Sequence, residues 1–203
     1  MTSVENAQSD AQFDNFFVLF EQPVQFKLSQ ESLDYRLRML QKRYHPDNIA
    51  KMNTNTVDMS VDSQSLHLQS EQDSALINQA YQTLSNPDSR ATYMLEMRDQ
   101  AQTLDHSIAD LEFLGDAMEL RIELEEAIED KTHLTLQQLH PQITTRLTNQ
   151  SIRFDEAYQQ QDWQTAIDAT QKLKFLVKLN ADITTALDEL ATATQADDDD
   201  LYV

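Results

Sequence analysis

The chain of 203 residues carries 35 acidic against 15 basic side chains, and its net charge of −20 repels nucleic acid and anionic membranes at long range. It has no cysteine, which excludes disulfides and thiolate ligation of zinc or of an iron–sulfur cluster by this chain. One glycine and four prolines favour helices over a strand-rich fold, which needs more turn residues. We therefore expect an all-α protein with enough apolar residues, 40%, for a core.

The first twelve residues are polar and contain no apolar signal-peptide core, so residues 1–12 are expected to form a disordered leader. No apolar run in the sequence approaches the length of a membrane span. These features predict a soluble, cytoplasmic protein.

An aromatic segment, residues 13–20, predicts a first short helix, and an amphipathic pattern predicts a second helix over residues 29–44 with Ser29 as its N-cap. Apolar residues recur at helical spacing on one face of the second helix, at Leu33, Leu37, Leu40 and Tyr44. Arg36, Lys42 and Arg43 lie outside this stripe and are expected to face water. Residues 27–51 hold six basic against three acidic side chains, which favours an acidic protein surface as the partner; the alternative is a solvated helix face.

Pro46 has no amide hydrogen and biases His45 away from helical geometry, so the second helix must end here. His45, Pro46 and Asp47 are therefore expected to form an exposed, stiffened corner that presents an imidazole and a carboxylate to a partner. The alternative is an ordinary turn with a helix-capping aspartate.

Residues 48–63 have no apolar period and predict a loop, followed by a third helix over residues 66–84. The face of the third helix that should pack on the second carries Ile77, Ala80, Tyr81 and Leu84. The turn Asn86-Pro87-Asp88 precedes a fourth helix over residues 90–97, and the polar residues 98–107 predict a linker.

The second half predicts helices over residues 108–130, 142–160 and 163–191, the last with Asp162 as its N-cap. Short connections between them imply a three-helix bundle spanning residues 108–192. Residues 193–203 end in an acidic run and are expected to form a solvated, disordered tail.

The helix that begins near Ile108 carries two apolar stripes. One, suited to the bundle core, comprises Phe113, Ala117, Leu120, Leu124 and Ile128; the other comprises Leu111, Leu114, Met118 and Ile122. If the second stripe is exposed, it forms a protein-binding patch edged by Glu119 and Arg121 and joined by Phe175 of the last helix. Alternatively, the helix touches two neighbours and buries both stripes, which composition alone favours.

Catalysis is not predicted, because the chain has no glycine-rich phosphate loop, no cysteine nucleophile and no metal-ligand spacing among its five scattered histidines. We therefore expect a protein that is not an enzyme, with no metal site and no cofactor.

The order of motifs in the first half resembles the J-domain family: DNFFVLF, then QKRYHPDN, then ALINQAYQTL. With the later motifs FLGDAMELR and KLKFLVKL, residues 13–192 resemble the HscB co-chaperone family of iron–sulfur cluster biogenesis. The resemblance implies a J-domain, residues 13–97, that stimulates the ATPase of an HscA/DnaK-type chaperone. It also implies a bundle that binds an IscU-type scaffold protein, so that the chain delivers the scaffold for cluster assembly or transfer.

Carried onto this sequence, the resemblance assigns chaperone binding to His45, Pro46, Asp47, Arg36 and Lys42. It assigns scaffold binding to Leu114, Met118, Glu119, Arg121 and Phe175. The chain departs from the family pattern at Glu21, where glycine is common, at Asn48, where a basic residue is usual, and at Gly115 and Ile122, where a larger apolar residue and an acidic residue are expected. The alternative is a J-domain co-chaperone, or a helical adaptor, for a different client.

Overall fold

The structure, a computed structural model, describes residues 15–44 and 63–199, with side chains over residues 15–44 and 71–192. These residues form seven helices and no strand, which confirms the predicted all-α class. In chain order the helices are α1 (Phe16–Leu19), α2 (Gln30–Tyr44), α3 (Ser63–Ser85), α4 (Pro87–Glu96), α5 (Leu111–Glu129), α6 (His133–Gln160) and α7 (Trp163–Asp199). The predicted His45-Pro46-Asp47 corner, most of the loop after it and the leader lie outside the described residues.

The chain divides into two compact units, the first up to Arg90 and the second from Ala91. In the first unit α2 packs along α3, and α1 packs against α3. Leu33, Leu40, Ile77, Ala80 and Leu84 of the predicted stripes are buried, whereas Leu37, Tyr44 and Tyr81 are half-buried. Phe17 and Phe20 of the first aromatic segment are also buried. Hydrophobic burial at helical spacing therefore explains the hairpin.

Two predicted N-caps are present. The Ser29 hydroxyl accepts a hydrogen bond from the Ser32 amide at 3.3 Å, at the start of α2. The Asp162 carboxylate accepts from the Thr165 amide at 3.2 Å, at the start of α7. Each cap satisfies an amide that has no partner within its own helix.

In the second unit α5, α6 and α7 form the predicted three-helix bundle, in which α6 and α7 share the most extensive packing and α5 contacts both. Each helix contributes three buried residues to one apolar cluster: Leu120, Leu124 and Ala127 from α5, Leu136, Leu139 and Ile143 from α6, and Leu179, Ile183 and Ala186 from α7.

Two helices are longer than predicted. Helix α6 begins at His133 rather than near residue 142 and continues through Pro141, because Leu136 and Leu139 are fully buried and their burial offsets the hydrogen bond that the proline cannot make. Helix α7 continues to Asp199, into the stretch predicted to be a disordered tail. Ala193, Gln195 and Ala196, which lie in this stretch, have high helix propensity and favour continuation of the helix.

The segment predicted as a linker, residues 98–107, is held against α7. The Gln171 side-chain amide donates to the backbone carbonyls of Thr103, Leu104 and His106 at 3.2, 3.4 and 2.8 Å. The Leu104 side chain is buried. The part of the segment near Leu104 is therefore fixed to the second unit.

Candidate partner-binding surfaces

Helix α2 carries the predicted chaperone-binding residues Arg36 and Lys42. Lys42 is exposed, as the sequence predicts. Arg36 was expected to face water, but its side chain is only 22% exposed because it turns toward the end of α1. There its guanidinium lies 2.6 Å from the Glu21 carboxylate and donates to the Leu19 carbonyl at 3.4 Å.

Glu21 adopts a left-handed backbone conformation, with φ of 52°. This geometry favours glycine, which explains physically why glycine suits the position and why glutamate is an unusual occupant. The ion pair with Arg36 offsets part of the strain, since it is made between a half-buried cation and a carboxylate. Arg36 thus holds the turn after α1 against α2.

Polar side chains fix α2 to α3 at the rim of the hairpin. The Tyr81 hydroxyl donates to the Asp34 carboxylate at 2.7 Å, and the Gln30 amide contacts the same carboxylate at 2.8 Å and the hydroxyl at 3.0 Å. The hydrogen bonds from Tyr81 and then Gln30 lower the pKa of Asp34. The same bond to Asp34 raises the pKa of Tyr81, because it stabilises the protonated phenol.

A second polar contact joins the hairpin further along α2, where the Gln41 amide donates to the Asn78 side chain at 3.4 Å. Asn78 and Tyr81 both belong to the Ile-Asn-Gln-Ala-Tyr motif of α3. This motif therefore fixes the register of α2, the helix that leads into His45.

The outer face of α5 is apolar and open. Leu111, Met118 and Ile122 are 80%, 62% and 53% exposed, and Leu114 is half-buried. The alternative in which both stripes of this helix are buried is therefore wrong. Beside the patch, Glu119 is exposed and Arg121 pairs with Glu125 at 2.8 Å.

Phe175 of α7 is half-buried. Its ring packs edge-on against Phe113, with 6.2 Å between the ring centroids, and it also contacts the apolar cluster of the bundle. Phe113 directly precedes Leu114 in α5, so Phe175 lies beside the first turn of the helix that carries the patch.

The sequence analysis did not identify Lys172 of α7. Its side chain is only 2% exposed and lies against the start of α5. Its ammonium lies 2.7 Å from the Asp110 carboxylate and 2.9 Å from Asp168, and 5.3 Å from the centroid of the Phe113 ring. Asp110 also caps α5 by accepting from the Phe113 amide at 3.0 Å. The hydrogen bond from Lys172, followed by that from the amide, lowers the pKa of Asp110.

Lys172 therefore anchors the first turn of α5, where Phe113 and Leu114 lie. A sequence signal for this role exists: Lys172 lies four residues before the buried Leu176 and three after the buried Ala169, on the apolar face of α7. Its partner Asp168 lies one turn earlier on the same helix.

Among the side chains that the structure describes, those of residues 15–44 and 71–192, no cluster of three or more metal-ligating groups is present. In the same part of the chain, no helix combines the length and apolar character needed to cross a bilayer.

Comparison with known proteins shows which family has this architecture. Residues 109–184 match the family model described as the HSCB C-terminal oligomerisation domain. A co-chaperone protein HscB homolog from Photobacterium profundum is 40% identical over 172 residues, which cover 83% of this chain and 94% of the relative.

Solved structures agree. The chaperone HscB from Vibrio cholerae superposes with a TM-score of 0.67 at 32% identity, covering 87% of this chain and 99% of the other. Human co-chaperone HscB, at 24% identity and a TM-score of 0.64, shows the fold alone.

A helical hairpin followed by a three-helix bundle, shared with relatives named as co-chaperones, defines an all-α co-chaperone. The chain belongs to the HscB family, the co-chaperone family of iron–sulfur cluster biogenesis that its motifs indicate. Members of this family are co-chaperones rather than catalytic enzymes.

Proposed function

We propose that this chain acts in the cytoplasm by stimulating the ATPase of an HscA/DnaK-type chaperone and by delivering an IscU-type scaffold for iron–sulfur cluster assembly or transfer. The observation that carries the proposal is the 40% identity to an HscB homolog over most of both chains. In this assignment residues 13–97 form the J-domain, 98–107 the linker, 108–192 the scaffold-binding bundle and 193–203 an acidic tail.

The chaperone-binding surface comprises His45, Pro46 and Asp47 with Arg36 and Lys42. Two features support it. Residues 27–51 carry a basic excess in a chain of net charge −20, which suits an acidic partner surface. The contacts of Asp34 and Tyr81 hold α2 rigidly on α3, so the helix can present its outer face without reordering.

The scaffold-binding surface comprises Leu114, Met118, Glu119, Arg121 and Phe175. The exposure of the α5 outer face supports it, because an apolar patch with a charged edge is the usual composition of a protein-binding site. Lys172 supports it further by fixing the turn of α5 that carries Leu114.

The mechanism is linkage between two binding events. Docking of the His45-Pro46-Asp47 corner favours the hydrolysis-competent state of the chaperone, and the bundle holds the scaffold nearby. Because both contacts belong to one chain, the scaffold reaches a high local concentration at the chaperone, so each contact can be modest.

The test is a pair of variants with opposite expected phenotypes. His45→Gln should abolish stimulation of the chaperone's ATPase and leave scaffold affinity unchanged. Replacing Leu114 and Met118 together by alanine should do the reverse. Persistent stimulation by His45→Gln would contradict the chaperone assignment. Stimulation by the unsubstituted protein without any scaffold binding would favour a J-domain co-chaperone with a different client.

A further inference from the structure

One line of residues on α5 has a gap in its middle. By the rotation of an α-helix, Leu111, Gly115, Met118 and Ile122 fall within about 60° of one another and extend over about 16 Å. We call these four residues the α5 stripe. Its three side chains are all more than half exposed.

Gly115 leaves the gap. It is the only glycine of the chain, it lies in the second turn of a 19-residue helix, and its φ is not positive. A Cβ placed on it would meet no heavy atom within 4 Å. Neither backbone geometry nor packing requires a glycine here, and glycine is among the least favourable residues within a helix. The missing side chain leaves open space on the stripe between Leu111 and Met118, and we call this space the notch.

We propose that this notch receives one large apolar side chain of the IscU-type scaffold, which makes Gly115 a specificity-determining residue; this inference rests on the function proposed above. A protruding side chain that enters the notch would contact Leu111 and Met118 on either side and bring the scaffold backbone close to α5. Ile122 extends the same contact by one turn.

The charges beside the stripe define the partner's chemistry. Glu112, Glu119 and Glu123 are exposed and begin about 40° further round the helix, so they form an acidic edge along the stripe. The complementary surface is an apolar side chain with basic residues beside it. A second copy of this chain fits less well, because it would bring another strongly acidic surface, from a chain of net charge −20, onto this edge.

The test measures affinity for the scaffold from the same organism after filling the notch. Gly115→Leu should weaken binding by about tenfold or more, and Gly115→Ala by less, because added volume excludes the partner's side chain. Both substitutions raise helix propensity, so weaker binding cannot arise from unfolding of α5. Ala75→Leu, on the exposed surface of α3, adds an apolar side chain elsewhere and should leave affinity unchanged.

The outcomes separate the two proposals. If the unsubstituted chain binds the scaffold and Gly115→Leu binds equally or more tightly, the notch proposal is overturned and the proposed function stands. If the unsubstituted chain does not bind the scaffold, both are overturned. If sedimentation shows a dimer that Gly115→Leu dissociates while scaffold affinity is unchanged, the notch belongs to a second copy and the proposal is wrong.

A charge test addresses the acidic edge. Glu112→Gln combined with Glu123→Gln should slow association with the scaffold and reduce its salt dependence. If basic residues of the scaffold face the acidic edge, then Glu156→Gln combined with Glu189→Gln, on α6 and α7, should change neither the association rate nor its salt dependence. Equal effects of the two pairs would show that only net charge matters and would overturn the assigned partner chemistry.

Discussion

The α2–α3 hairpin and the three-helix bundle distribute charge in opposite ways. In the hairpin, apolar residues such as Leu33 and Leu40 are buried, and Arg38, Lys42 and Arg43 of α2 are exposed. In the bundle, Lys172 is buried between carboxylates while Leu111 and Met118 lie in solvent. The first arrangement is the ordinary one for a water-soluble helix, and the second reverses it at α5.

The difference indicates how each surface can bind. A basic outer face attracts its partner through charge, which accelerates encounter and weakens with salt. An exposed apolar face gains affinity by removing that surface from water, which salt affects little. The buried lysine of the bundle then serves to hold the apolar face in place, at the cost of desolvating a charge.

The largest expected effect comes from removing the buried charge. Lys172→Met should destabilise the bundle by about 2 kcal/mol, less than for a fully buried pair because Asp110 and Asp168 keep part of their surface in water. Trp163, the only tryptophan, lies in the bundle, so urea unfolding followed by its fluorescence measures the change.

The control is Lys174→Met, the same substitution at an exposed position of α7, which should leave stability nearly unchanged. Scaffold affinity should fall for Lys172→Met alone, since the first turn of α5 loses its anchor. A Lys172→Met bundle as stable as the parent would show that the ion pairs contribute nothing to holding α5.

A smaller expected effect is that salt weakens binding at the two surfaces to different extents. Between about 50 and 500 mM salt, affinity for the chaperone should fall by about tenfold and affinity for the scaffold by about threefold or less, because only the first contact is dominated by charge. Titration calorimetry at several salt concentrations measures both. Lys42→Gln should make affinity for the chaperone less dependent on salt. Met118→Ala should lower affinity for the scaffold at every salt concentration without changing how steeply it depends on salt. If affinity for the chaperone and affinity for the scaffold depended equally on salt, the proposed difference between a charged and an apolar binding surface would be wrong.

Sequence patterns predicted the hairpin well because each of its rules agrees with the others. The Ser29 cap, the period of Leu33 and Leu40 and the complementary face of Ile77 all indicate the same packing, and the structure has it. The exposed outer stripe of α5 was also visible in the period of its apolar residues. Whether it would be exposed could not be decided without knowing how α6 and α7 pack on the other face.

The failures occurred where tertiary packing overrides a local rule. A proline normally ends a helix, but α6 passes through Pro141 because Leu136 and Leu139 lie in the core. A lysine normally lies at the surface, but Lys172 is buried because Asp110 and Asp168 meet it there. Both exceptions depend on residues that the fold brings together, with Asp110 62 residues from Lys172.

The smallest expected effect is a difference in pH dependence between the two units. Asp34 in the hairpin and Asp110 in the bundle both have a lowered pKa in the folded state, relative to the ordinary value of 3.8. A lowered pKa adds stability above the unfolded value that is lost as pH falls through the folded value. Both units should therefore lose stability in the same acid range, below about pH 4.

The stability of the hairpin should also change near pH 10.0, the ordinary pKa of tyrosine. The pKa of Tyr81 is raised above its ordinary value of 10.0, so the folded state holds the phenol proton more tightly than the unfolded chain does. That contribution is complete below pH 10.0 and is lost as pH rises through the folded pKa. Tyr81→Phe should remove the alkaline loss from circular-dichroism melts of the hairpin while Trp163 fluorescence of the bundle stays unchanged. An alkaline loss that persists in Tyr81→Phe would show that the bond to Asp34 does not determine the stability of the hairpin at high pH.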